Sequence, residues 1–201
     1  MDKAKVLAKY LPEPAAPLVA RWIDHFHCDF RISRNRSSKF GDFRPPHQGI
    51  NARISVNFDL NPYAFLVTTV HEFAHLVTWQ QYQRSVKPHG QEWKENFKKM
   101  MQPFFKLKIF PPDLNLAIAA YLENPAASSC SDVTLFKALR RYDQSTPFKT
   151  VESLPADATF SLKDGRIFRK GKLLRKRFSC VEIRTGRIYL FSPIAEVFPV
   201  S

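Results

Sequence analysis

Cysteine is close to absent. Cys28, Cys130 and Cys180 are the three in 201 residues, far apart and odd in number. That excludes a disulfide framework and any paired-cysteine metal clip, and it suits a reducing, intracellular compartment. Long apolar runs are missing too. No stretch of about 18 apolar residues occurs, as a membrane-spanning helix needs. The polar start Met1-Asp2-Lys3-Ala4-Lys5 leads into no apolar leader segment. A soluble, cytoplasmic protein with no membrane role is the expectation. Acidic residues are also scarce: 18 Asp and Glu face 31 Lys and Arg, a net charge of +13 and a pI of about 9.9. Such charge says nothing about fold. It favours polyanionic partners, because clustered Lys and Arg displace counterions from phosphates.

What is present is apolar material for a core: 44% hydrophobic and 13% aromatic residues, 18 of them Phe. Wholesale disorder is therefore excluded. The length fits one domain, or one domain with a small appendage. Residues 1–26 have helical periodicity, broken near Pro12, Pro14 and Pro17. From Cys28 to Phe58 the period becomes two, in Phe30–Ser33 and again in Ala52–Phe58, with Ser37, Ser38, Gly41, Pro45, Pro46 and Gly49 between. This pattern predicts a small antiparallel meander. Asn61-Pro62 then opens a helix, Asn as cap and Pro in the first turn. Leu66, Val67, Val70, Phe73, Ala74 and Val77 make that helix apolar over a wide arc, so it should be central and buried. A second helix follows Gly90 with Trp93, Phe97, Met100, Met101 and Phe104 as its stripe, and a third spans Asp113 to Glu123. Residues 125–132 look like a linker, and a short helix is expected around Leu135–Tyr142. Beyond Ala158 the chain turns β-prone, with Asp164-Gly165, Lys170-Gly171 and Thr185-Gly186 as turn signals. The expected division is a domain at 1–125 and a linker with a small basic β-rich module at 126–201. The fold class is α+β.

His71-Glu72-Phe73-Ala74-His75 lies on the predicted central helix. Residues four apart share a helix face, about 6 Å apart along the axis. Two imidazoles so placed can reach one ion at roughly 2.0–2.1 Å. Glu72 is then next to a metal-bound water, as a general base must be. By composition, an HExxH match is expected about 0.007 times by chance in this chain. Three polar groups buried without a partner would also cost several kcal/mol in all.

A zinc site needs a third protein ligand and an open position. His89, Glu92 and Glu95 are the downstream candidates. Counted at about 100° per residue, Trp93, Phe97, Met100 and Phe104 fall within about 80° of position 89, while Glu92 and Glu95 turn away. This favours His89, provided that position is close to helical. Glu95, further along the same helix, remains the alternative. For the loop to return, the first helix has to end by Arg84, since a helix recedes about 1.5 Å per residue and extended chain regains at most about 3.3 Å.

His71-Glu72-Phe73-Ala74-His75 followed by His89-Gly90-Gln91-Glu92-Trp93 resembles the SprT-like zinc metalloprotease domain, the family that includes the Spartan proteins. The Arg53–Asn57 strand and the Asn61-Pro62 helix start are similar to that family as well, and the resemblance covers roughly residues 10–125. It implies a zincin-like fold, one Zn2+ held by His71, His75 and His89, and Glu72 as catalytic acid/base. For Spartan-like members it implies DNA-dependent cleavage of proteins crosslinked to DNA. Many bacterial members end in a zinc ribbon with paired cysteines. Cys180 and the distant Cys130 cannot form one, so a second zinc is not expected.

From Phe160 to Ser201 the chain carries a net charge of +7. Arg166, Arg169, Lys170, Lys172, Arg175, Lys176 and Arg177 are the candidate nucleic-acid contacts. Phe168, Phe178, Tyr189 and Phe191 are interleaved with them, to stack bases or to fill a small core. Arg31, Arg34, Arg36, Lys39 and Arg44 make the meander basic as well. The function expected is a zinc metallopeptidase acting on DNA-associated proteins, with an exposed strand near Arg53–Phe58 holding extended substrate by backbone pairing. The alternative is a non-catalytic, zinc-stabilised DNA-binding or transcription-associated module, which would have no need of Glu72.

Overall fold

Proline and asparagine set the first boundaries. The structure, a computed structural model, describes residues 2–34, 36, 39–126, 132–144 and 149–200. Cys130 lies outside the described residues, as do positions 127–131 of the expected linker. Helix α1 (Lys3–Leu7) is capped by Asp2, a 3-10 turn (Glu13–Ala15) follows Pro12, and α2 (Ala16–His25) begins with Pro at its second position. The chain forms two compact units, residues 1–143 and 144–201.

In the first unit, β1 (Asp29–Ser33), β2 (Gly41–Arg44) and β3 (Arg53–Asn57) make one sheet in the order β1-β3-β2. It is not the antiparallel meander that the alternation suggested. β1 runs parallel to β3, and β2 alone pairs antiparallel to it. The cause is visible in β3. Ile54 and Val56 are fully buried, but so are the polar Ser55 and Asn57 that alternation would turn to solvent. Arg36 and Lys39, between β1 and β2, meet them. The Arg36 guanidinium donates to Asn57 Oδ1 at 2.9 Å, Ser55 Oγ at 3.0 Å and the Ser55 carbonyl at 3.3 Å. Asn57 Nδ2 donates in turn to the carbonyls of Arg36 and Lys39, both at 3.1 Å. A strand satisfied on both faces takes the central place, so β3 has no free edge. The expected substrate-holding strand near Arg53–Phe58 is thereby corrected, and the sheet's open edge next to the helices is β2.

Helix α3 (Pro62–Tyr82) crosses the middle of this unit. Asn61 caps it, accepting from Tyr63 N at 3.1 Å and Ala64 N at 3.0 Å. The same side chain donates to the Leu139 carbonyl at 3.0 Å and to Asp143 Oδ1 at 2.6 Å. One residue thus starts the helix and ties it to the end of α6 (Val133–Arg140). Phe65, Leu66, Val67, Val70, Phe73 and Ala74 are all fully buried. The helix ends at Tyr82, before Arg84, as the loop length requires. Helix α4 (Gln91–Lys106) lays Trp93, Phe97, Met101 and Phe104 into the core, and α5 (Pro112–Glu123) adds Leu114 and Ile118. Trp22 of α2 meets Phe73 and Phe104 edge-on, each at 5.4 Å between centroids. No helix of the described residues is long and apolar enough to cross a membrane.

The second unit is a six-stranded antiparallel sheet: β4 (Lys149–Thr150), β5 (Thr159–Ser161), β6 (Ile167–Leu174), β7 (Arg177–Glu182), β8 (Ile188–Phe191) and β9 (Glu196–Pro199), in the order β4-β9-β5-β6-β7-β8. Its core is Val151, Leu154, Phe160, Phe168, Cys180 and Val197. Cys28 and Cys180 are free and buried, and burial pushes both thiols up, Cys28 to about 11. Gly165 and Gly186 have positive φ, as turns demand. Lys170-Gly171 is not a turn. Gly171 sits inside β6, where the register with β7 shifts between Lys170 and Leu173. A Cβ there would overlap the Ser179 carbonyl oxygen, so glycine is required by close approach, not by backbone conformation.

Since the obstructing atom is main chain, it cannot move aside cheaply. Gly171→Ala is expected to destabilise the second unit by about 1–3 kcal/mol, read as a lower urea midpoint by circular dichroism. An unchanged midpoint would contradict the close approach of β6 to β7.

Candidate metal centre

Helix periodicity brings the first three polar groups together. His71, Glu72 and His75 all lie in the buried stretch of α3, with His71 7% and Glu72 6% exposed. The two Nε2 atoms of His71 and His75 stand 3.2 Å apart. His89 joins them from outside any helix. Gly90, the N-cap of α4, has extended backbone (φ −71, ψ −174) and donates its N–H to the Lys87 carbonyl at 2.9 Å. Position 89 is therefore in a turn, and the helical-face argument for it does not hold. The turn nonetheless delivers the imidazole. One ring nitrogen from each of His71, His75 and His89 lies within 4.8 Å of the other two. Glu95 is exposed and accepts from Gln91 Nε2 at 3.2 Å, away from this cluster.

Aromatic rings enclose the triad. Trp93 is fully buried, stacked on His75 at 5.3 Å and edge-on to His71 at 4.7 Å and His89 at 4.8 Å. Phe43 of β2 lies parallel to the His75 ring, at 6.2 Å and 8°. Two rows of sequence that looked like loop material thus build the site: Gly41 and Phe43 of β2 against α3, and the Pro88-His89-Gly90 turn. The signal for β2 was a glycine and an aromatic two residues apart, which a strand puts on one face.

Three neutral imidazoles are a donor set that zinc accepts, and their chemistry fits a borderline-soft divalent ion. Burial keeps them neutral. It holds His71 well below its ordinary range, reinforced by the charged forms of His75 and His89, and it lowers His75 to about 3 and His89 more modestly. His71 Nδ1 and His89 Nε2 are buried without a hydrogen-bond partner. Each bare buried nitrogen costs about 1–3 kcal/mol; the His71 ring turns Nε2, not the bare Nδ1, toward His75, so a shared cation would relieve only the nitrogens turned to it. Burial also pushes the Glu72 carboxyl up to about 8, helped by the Asp42 charge and opposed by Arg36 and Lys39. A dication beside it would favour the carboxylate instead. The arrangement can therefore hold one divalent metal with an acid/base group next to it.

The second unit presents its cations differently. Arg166, Arg169, Lys172, Arg175, Lys176 and Arg177 are exposed. Lys170 is not: the residue is 7% exposed, and its ammonium donates to the carbonyls of Glu152 at 3.1 Å and Leu154 at 2.5 Å and sits 4.5 Å over the Phe178 ring. It points into the unit because it lies two residues from Phe168 in β6, on the same face of the strand and opposite buried Cys180, and it drops out of any contact surface. Phe168 is buried, and Phe178, Tyr189 and Phe191 pack against the same core. The interleaved rings therefore contribute to the small core, Phe168 wholly and the other three in part.

The SprT-like family model matches residues 20–113. Protein SprT of Vibrio parahaemolyticus serotype O3:K6 is 55% identical to the chain over 38 residues, which is 18% of this chain and 22% of that protein. No solved structure matches the chain.

Purified protein is expected to hold one zinc per chain by elemental analysis. His71→Ala, His75→Ala and His89→Ala should each weaken binding at least about 100-fold, since three ligands are the minimum for such a site, while Glu95→Ala leaves it unchanged. Metal lost from Glu95→Ala but kept by His89→Ala would reverse the assignment.

Proposed function

We propose, from the match of residues 20–113 to the SprT-like family, that this chain is a zinc metallopeptidase of the HExxH type. The observation that carries the reading is the convergence of His71, His75 and His89 beside a buried Glu72. His71, His75 and His89 hold the ion, and Glu72 is the general base. Unit 1 then has a zincin-like organisation, with α3 as the site helix and a mixed sheet alongside. When bound, zinc supplies a Lewis acid that lowers the pKa of water and polarises a peptide carbonyl.

The remaining chemistry belongs to the chain. A Glu72 carboxylate oxygen accepts a proton from the attacking water and later delivers it to the departing amine, which keeps the cycle balanced. Trp93 and Phe43 exclude bulk water from the imidazoles, which strengthens the electrostatics inside. Strand β2 ends the sheet, so its outer edge can pair with an extended peptide, a role that β3 cannot take.

The basic unit extends the reading to substrates bound to nucleic acid. Its exposed Arg166, Arg169, Lys172, Arg175, Lys176 and Arg177 support contact with phosphates. Arg175 and Lys176 form the turn of the β6–β7 hairpin, with Lys172 and Arg177 beside them. Because the aromatic rings pack wholly or partly into the core of the unit, the contact rests on charge more than on stacking. Residues 1–125 then act as the protease domain and the basic module as its guide to DNA-associated proteins.

Two experiments test this. Glu72→Gln should keep zinc and fold but lose peptidase activity on casein by about 100-fold or more; retained activity would remove Glu72 from the mechanism. For the basic unit, the full chain should bind unrelated duplexes alike in fluorescence anisotropy. Replacing Arg175, Lys176 and Arg177 by Ala should flatten the log–log salt slope by up to about 2.7, at roughly 0.9 per phosphate contact. No affinity for DNA or RNA at low salt would end the nucleic-acid reading.

A further inference from the structure

We propose that Gly41 is the seat of the Glu72 carboxylate: its missing side chain lets strand β2 lie against Glu72 and hold the acid beside His71 and His75. The catalytic half of this inference rests on the peptidase reading above, while the geometric half does not.

Glycine in a strand needs a reason, because it weakens the strand by its chain entropy and packs nothing. Left-handed backbone is one reason, but the glycines with positive φ are Gly49, Gly165 and Gly186. Close approach is the other. A Cβ built on Gly41 would lie 2.8 Å from both Cγ and Cδ of Glu72 and closer still to its Oε1. Real Cβ atoms do not sit at such distances, so any side chain here must move something.

The surroundings decide what moves. Gly41 opposes Val56 and Phe43 opposes Ile54 across the β2–β3 ladder, and both partners are fully buried. Strand pairing and that packing hold the β2 backbone. Successive strand residues alternate sides, so Gly41 and Phe43 share the face toward α3. One meets Glu72, and the other stacks on His75. Asp42, between them, bonds Lys39 and Arg44. The yielding group is then the Glu72 side chain, which is itself buried. An added methyl displaces the acid and leaves His71 and His75 on a fixed helix. Gly41 is a positioning residue that acts through Glu72.

The test uses the full-length, zinc-loaded protein with Gly41→Ala, Glu72→Ala and the double variant. All should retain one zinc per chain. Gly41→Ala should lower Tm by roughly 3–10 °C in the wild-type background, and by less than about a third of that in Glu72→Ala, because the obstructing atoms are gone. On casein, Gly41→Ala should lower kcat by about 100-fold or more with KM within about threefold. Equal Tm shifts in both backgrounds, or a wild-type kcat in Gly41→Ala, would overturn the proposal. If Gly41→Ala fails to fold, folding of the double variant supports the seat and its failure refutes it. A Glu72-dependent Tm shift in a protein that never cleaves casein would keep the seat and remove the peptidase reading.

Discussion

Carrying two imidazoles and a carboxyl through the middle of an apolar core is the constraint from which the first unit is built. The α3 backbone satisfies its own N–H and C=O groups, so nothing in the helix is free to bond His71, Glu72 or His75. Solvent is excluded from His71 and Glu72 and largely kept from the half-buried His75. Polar groups in that position are tolerated only when they face one another or a cation. Everything around them follows from that requirement. A turn brings a third imidazole, an indole fills the gap between the rings, and a strand with a glycine gap closes over the acid.

The same burial sets the charge states. Desolvation disfavours the charged form of all three imidazoles, which favours the form that binds a metal, and it pushes the nearby carboxyl up, a shift that a positive charge beside it opposes. Ligands and acid are thus tuned in opposite senses by one environment. Asp42 adds to the upward pull on Glu72, while Arg36 and Lys39 oppose it, so these two residues take part in the electrostatics as well as in bonding Ser55 and Asn57.

The second unit solves a different problem with the same rule. Its core is small, and it spends the aromatic rings on filling it. The cations that remain outside carry the surface, and the one that turned inward, Lys170, is satisfied by two carbonyls and an aromatic face. Aliphatic groups such as Ile188 and Leu190 stay exposed on this unit, while its charge favours polyanions.

Local chemistry determined much of this in advance. Asn61 and Pro62 had to begin a helix, the apolar arc had to bury it, and four-residue spacing had to set His71 and His75 on one side, because a helix obeys short-range geometry. Scarce cysteine ruled out a ribbon, and the excess of Lys and Arg was plain from the composition. Pairing partners were not determined locally. Whether β1 lay parallel or antiparallel to β3, and whether Ser55 and Asn57 faced water or Arg36, depended on residues about 20 positions away. His89 was the better candidate for a reason that failed, since Gly90 is extended, yet the turn put it in place. Gly171 looked like a turn and proved to be a close approach of two strands. Gly41 looked like loop material until α3 was packed against it. Alternation and periodicity report which way a side chain points relative to its own backbone, and only tertiary packing decides what it meets there.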